Sequence, residues 1–316
     1  SLLAVAVAMA MTACGGGGKD VLRPDPPPQV QPPPTVVYPP DPAYSGHIEV
    51  TNAQPAIDAG LTGAGVRVGV LDTGVNRAHP ALAGRVVANL NYVNPNVNDM
   101  SVDDKDGHGT AVAQMIAGKP FGAWPGGIAQ GAQIVSARII NDEPPDDDGT
   151  GQGNEISGPI GLASIHRDMM DRGVKILNNS WGGLYWTNLD ATAPIAAEFR
   201  PFVVDHGGLV VFATGNGAFD DPSETAMLPS VEGHGGSTPG ADLEVGWLAV
   251  TALDRDDTSL LAEYANACGA AMDYCLAAPG SVVATGTDDA PDDPDYWRWT
   301  GTSFAAPLVS GAAALV

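Results

Sequence analysis

The sequence predicts an α/β fold, a mainly parallel central sheet flanked by helices. Two observations predict it. Short valine-rich apolar runs alternate with longer stretches of helical character. Strands covered on both faces read as continuous apolar runs, and strand–helix alternation builds parallel sheets. The residues able to do chemistry also sit just after such runs or at helix starts, near the carboxyl edge where parallel sheets bind ligands.

In chain order, the first predicted strand covers 66–71, between Gly65 and Asp72. A helix follows over 110–118, a strand over 134–140, a helix over 156–172 and a strand over 174–177. A helix over 191–206, strands over 209–213 and 247–253, and a last helix over 302–316 complete the alternation. No internal repeat is present. Gly63-Ala64-Gly65 precedes a strand instead of following one, so it fails the dinucleotide-loop pattern.

The chain has 316 residues and a net charge of −23, from 14 basic and 37 acidic side chains. Nucleic acid and anionic membrane surfaces need clustered Lys and Arg, so neither is expected as the main partner. The acidic runs 146–148 and 288–295 read as solvated loops. Loop carboxylates also bind calcium, so a structural calcium is the alternative, although no EF-hand spacing occurs. There is no His-Glu-x-x-His and there are only three cysteines, so no metal centre is expected.

Four motifs carry the chemistry. Asp72 stands in Leu71-Asp72-Thr73-Gly74-Val75 and His108 in Asp106-Gly107-His108-Gly109-Thr110. Asn216 ends Ala213-Thr214-Gly215-Asn216, and Ser303 lies in Gly301-Thr302-Ser303-Phe304-Ala305-Ala306-Pro307. Serine needs a base to become a nucleophile, and histidine titrates near neutrality. An aspartate behind the histidine fixes its tautomer. An asparagine amide after a strand can donate to a developing oxyanion. Asp-Thr-Gly alone would also suit an aspartyl phosphatase or an aspartic protease. Gly74 stands where the first wants a second aspartate, and no second copy exists for the other. The remaining histidines, His47, His79, His166, His206 and His234, read as surface or structural residues.

The order Asp, His, Ser, with all four motifs, resembles the subtilisin-like serine proteases, the subtilase family, over roughly residues 45–316. The resemblance implies a subtilisin-like three-layer fold and a serine endopeptidase acting on polypeptides. Asp72, His108 and Ser303 match its triad and Asn216 its oxyanion asparagine. Ser180-Trp181-Gly182 resembles its substrate-pairing strand, with the segment 149–153 opposite. No cofactor is required. An esterase using the same triad, or a surface binding module with a decayed site, is the alternative; the first lacks its Gly-x-Ser-x-Gly elbow and the second does not need an intact triad.

Residues 1–14 resemble a bacterial lipoprotein signal. An apolar run too short to span a bilayer ends in Thr12-Ala13-Cys14-Gly15, which makes Cys14 the expected lipidation site and a lipid anchor the membrane link. Residues 15–44 are Gly- and Pro-rich and read as an extended, disordered spacer. The catalytic domain is expected over 45–316 as a fragment of a longer protein, because the chain starts without Met and stops within an apolar run. With the Cys268/Cys275 pair, this layout resembles the surface subtilases of Gram-negative autotransporters. It implies export, an outer-membrane or cell-surface location, and a disulfide between the two cysteines that lipid leaves free.

Overall fold

A computed structural model describes residues 12–13, 20–21, 42–143, 156–182 and 184–316. Its elements are β1 (Thr12–Ala13), β2 (Asp20–Val21), α1 (Pro42–Val50), α2 (Gln54–Asp58), β3 (Arg67–Asp72) and β4 (Val86–Asn91). Then come α3 (His108–Ala117), β5 (Gln133–Arg138), α4 (Ala163–Asp171), β6 (Ile176–Asn179), β7 (Trp181–Gly182) and α5 (Thr192–Arg200). The last are β8 (Leu209–Ala213), β9 (Trp247–Leu253), β10 (Cys275–Pro279), β11 (Ser281–Thr285), β12 (Tyr296–Thr300) and α6 (Thr302–Leu315).

Seven strands form the central sheet in the order β10-β9-β8-β6-β3-β5-β4. Every neighbouring pair in it is parallel. Successive side chains point to opposite faces, and both faces are covered. On β8, Val211 and Ala213 join the core with α3 and α6, whereas Val210 and Phe212 join the core with α4 and α5. Two apolar cores therefore sandwich one sheet. That double burial is why 209–213 and 247–253, the runs expected from the sequence, coincide with β8 and β9.

Several elements differ from expectation. The helix expected over 156–172 starts only at Ala163, after Pro159 and Gly161 break the run. The helix expected over 191–206 is interrupted at Pro201, which lacks an amide hydrogen, and continues as a π-helical turn to Asp205. The sequence reading omitted the sheet-edge strands β4 and β10 and the antiparallel pair β11–β12. Helix α1 begins at Pro42, inside the expected spacer; its Tyr44 stacks on Tyr296 with ring centroids 4.5 Å apart. Cys14, most of the spacer and the runs 146–148 and 149–153 lie outside the described residues.

Two smaller pairings bear on the site. β1 lies antiparallel to β7, with Thr12 opposite Gly182 and Ala13 opposite Trp181. β2 lies antiparallel to β12. The loop that leads to α3 is held by buried Arg138, whose Nη1 donates to the carbonyls of Asp99 (3.1 Å) and Val102 (2.9 Å) while Nη2 pairs with Asp142. Among the described residues no helix is long and apolar enough to cross a membrane.

A disulfide joins Cys268 to Cys275, seven positions apart, across a short 3-10 turn at Gly269–Tyr274. Closing so short a loop stabilises a fold by about 2.5 kcal/mol through the unfolded chain's lost entropy. Reduction should therefore lower the urea midpoint by an amount equivalent to that free energy. Equal midpoints for oxidised and reduced protein would contradict it.

Candidate active site

Strand β3 ends at Asp72, which is fully buried. Its Oδ1 accepts from His108 Nδ1 at 2.7 Å and from the Thr73 amide at 2.8 Å. A carboxylate can only accept, so the histidine proton sits on Nδ1 and the neutral ring turns a lone pair outward at Nε2. His108 opens α3, and its neighbours tie that helix start to the loop after β3. Thr73 Oγ1 accepts from the Gly109 amide at 2.9 Å. A Cβ on Gly109 would lie 2.1 Å from the Gly74 carbonyl oxygen, so only glycine lets the two motifs come this close.

Asp104, which sequence reasoning missed, holds the same helix start. Its carboxylate accepts from the amides of Gly107 (2.9 Å) and Thr110 (3.0 Å) and from Thr110 Oγ1 (2.5 Å). Asp106 Oδ1 accepts from the His108 amide at 3.1 Å. The only sequence signal was an acidic run before His108.

Burial on its own pulls a histidine down. His47 and His166 are buried, bond to backbone carbonyls, and are lowered to about 4 by burial. His108 is as deeply buried but moves the other way. Burial lowers it, yet the charge and hydrogen bond of Asp72, followed by the charges of Asp106 and Asp104, outweigh that and raise it.

Ser303 sits in the first turn of α6. Four residues on, Pro307 has no amide hydrogen, so the Ser303 carbonyl has no α-helical donor. Ser180 Oγ supplies one at 2.7 Å. Asn178 Nδ2 donates to Ser180 Oγ at 2.9 Å, and Ser310 Oγ donates to Asn178 Oδ1 at 2.8 Å. The proline of the motif thus creates a vacancy that a buried polar chain fills. The His108 ring packs edge-on against Phe304, with centroids 5.3 Å apart, which brings α3 and the start of α6 together.

Asn216 follows β8. Its Oδ1 accepts from the Thr302 amide and from Thr302 Oγ1, both at 2.9 Å. A backbone amide can only donate, so the side-chain oxygen must face Thr302 and Nδ2 must face away. The Gly215 amide donates to Thr302 Oγ1 at 3.2 Å. Among the buried polar atoms without a hydrogen-bond partner in the described residues are His108 Nε2, Ser303 Oγ and Asn216 Nδ2, together with the second carboxylate oxygen of Asp72. The first three comprise a base, a hydroxyl and an amide donor, the groups that activate a nucleophile and stabilise an oxyanion.

Of the expected substrate-pairing residues, Ser180 turns its hydroxyl inward to Ser303. Trp181 buries its ring against Phe212, with centroids 4.9 Å apart. Trp181 and Gly182 therefore offer a backbone edge, and that edge pairs with Thr12–Ala13. Among the described residues, no group of three or more His, Cys, Asp or Glu side chains could hold a metal ion.

A sequence model of the Subtilase family, Peptidase S8, matches residues 63–316. The chain is 30% identical to the major intracellular serine protease of Bacillus subtilis (strain 168), over 85% of this chain and 73% of that protein. It is 27% identical to the Neisserial autotransporter lipoprotein NalP of Neisseria meningitidis serogroup B (strain MC58), over 88% of this chain but only 31% of that protein. The solved structure of the prenylagaramide maturation protease PagA shares the fold, with a TM-score of 0.60 and 22% identity over 83% of this chain and 78% of that one.

The three carboxylates around His108 can be tested by titration. In an NMR titration, His108 should have a midpoint above the ordinary 6.5, and Asp106→Asn, which keeps the amide acceptor but removes the charge, should lower it. A midpoint well below 6.5, like that set by burial at His47, would contradict the electrostatic account.

Proposed function

Starting from a chain that belongs to the subtilase family of serine proteases, we propose that it is an exported, lipid-anchored endopeptidase acting through Asp72, His108 and Ser303. One observation carries this reading. The base nitrogen, hydroxyl and amide donor that the motifs supply, His108 Nε2, Ser303 Oγ and Asn216 Nδ2, are buried without a partner, while Asp72 holds the other ring nitrogen of His108. A buried polar atom left alone costs about 1–3 kcal/mol, a cost that the polar groups of a bound substrate would offset at these three atoms.

Ser303 Oγ attacks the peptide carbonyl carbon as His108 Nε2 takes its proton. The imidazolium is stabilised by Asp72, which stays ionised. The carbonyl oxygen becomes an oxyanion and receives hydrogen bonds from Asn216 Nδ2 and from the Ser303 amide, whose place in the first helical turn leaves it without an intrahelical acceptor. His108 returns the proton to the leaving amine as the carbon–nitrogen bond breaks. Water, deprotonated by His108, then hydrolyses the ester on Ser303. No cofactor enters these steps.

The substrate is read as an extended strand on the backbone edge of Trp181 and Gly182. Support comes from β1, which takes that edge in antiparallel register. Removal of residues 1–13 as a signal would take Thr12–Ala13 with it and free the edge. Lipid on Cys14 is supported by Thr12-Ala13-Cys14 and by the likeness to NalP, an autotransporter lipoprotein. The spacer then holds the domain away from the membrane.

Ser303→Ala should abolish casein digestion with the fold intact, and a fluorophosphonate should label Ser303 in the parent. Label on another serine would overturn the assignment. Asn216→Ala should lower kcat by roughly 10²–10³ at nearly constant KM, the range measured for the oxyanion asparagine of subtilisin. A rise in KM alone would give Asn216 a ground-state role instead. Cys14→Ser should release the protein from membranes, and mass spectrometry finding no acyl chain on Cys14 would rule out the anchor.

A further inference from the structure

Asn266 lies in the connection between β9 and β10, buried and distant in sequence from all four motifs. Its polar atoms converge on the segment that carries Asn216. Its amide donates to the Gly215 carbonyl at 2.9 Å. Its Nδ2 donates to the Thr214 carbonyl at 3.1 Å. Its Oδ1 accepts from the amides of Gly217 (2.9 Å) and Phe219 (3.1 Å). Its carbonyl accepts from Thr214 Oγ1 at 3.0 Å and from Thr251 Oγ1 at 2.7 Å. All but the last of these bonds fall on residues 214, 215, 217 and 219, immediately to either side of Asn216.

One planar side chain thus clamps the backbone both before and after the oxyanion-facing residue. Asparagine suits this because a single rigid group donates on one arm and accepts on the other. The fit is close. Gly215 has φ +113°, and a Cβ there would stand 2.6 Å from Asn266 Nδ2. Flanking bonds extend the clamp: the Ala267 amide donates to the Phe219 carbonyl at 2.8 Å, and the Ala218 amide to the Tyr264 carbonyl at 2.9 Å. Cys268, tied to Cys275, stands two positions beyond Asn266.

We propose that Asn266 is a positioning residue for Asn216. Thr302 fixes the Asn216 side chain through Oδ1, and Asn266 fixes the peptide planes that carry it. Together they aim Nδ2 at the place where negative charge develops. Asn266 does not touch substrate. The proposal rests on the reading of Asn216 as the oxyanion donor.

The test is a double-mutant cycle in the full chain, with folding checked by circular dichroism and kcat and KM measured on a chromogenic peptide. Asn266→Ala should lower kcat by about ten- to a hundredfold with little change in KM, the scale of a small misplacement in a preorganised site. In the Asn216→Ala background the same substitution should change kcat by no more than about twofold, because the group it positions is gone. Asn266→Asp keeps the acceptor for Gly217 and Phe219 but loses the donor to Thr214. It should show a smaller kcat loss that also vanishes in that background, and it decides the case if Asn266→Ala does not fold. An equal fold-loss in both backgrounds would mean general structural support and overturn the proposal. If Asn216→Ala alone leaves kcat unchanged, the oxyanion reading fails and takes this inference with it.

Discussion

The site depends on one constraint, the burial of both faces of a parallel sheet. A strand parallel to its neighbour cannot be joined to it by a tight turn. Parallel neighbours need crossover connections instead of hairpins, and every strand of the sheet points the same way. The carboxyl ends of β3, β6 and β8, adjacent in the sheet, therefore open on one edge. They deliver Asp72, the Asn178–Gly182 segment and Asn216 to that edge. Helices α3 and α6 pack against each other in the core on one face of the sheet, and their N-terminal turns add His108 and Ser303.

That arrangement is finished by polar side chains that touch no substrate. Asp104 and Thr73 hold the start of α3, and Thr302 holds the amide of Asn216. Ser180, Asn178 and Ser310 fill the vacancy that Pro307 leaves at the Ser303 carbonyl. These supporting side chains have their partners, whereas His108 Nε2, Ser303 Oγ and Asn216 Nδ2 do not. Supporting side chains that are already hydrogen-bonded orient the donors before charge develops, so little reorganisation remains.

Legibility in the sequence followed the same physics. Double burial made β8 and β9 readable residue for residue, since both faces of each are apolar. The edge strands β4 and β10 escaped because they carry exposed positions and mixed composition. The 156–172 helix was overextended because helical periodicity was followed across Pro159 and Gly161, where the chain turns instead. Asp72, His108, Asn216 and Ser303 stand out as candidates because glycine-rich motifs mark them locally. Asn266 does not, because its partners lie some fifty positions away and a lone asparagine in a loop gives no local sign of what it holds.

The central claim is that the three unpaired groups converge on one tetrahedral centre. A crystal structure with a peptide boronic acid tests it most directly, since boron adopts that geometry when a nucleophile adds. The account predicts boron bonded to Ser303 Oγ, one boronate oxygen accepting from Asn216 Nδ2, the other near His108 Nε2, and the peptide antiparallel to Trp181–Gly182. Boron on a different residue, or on Ser303 with both oxygens turned away from Asn216, would contradict it.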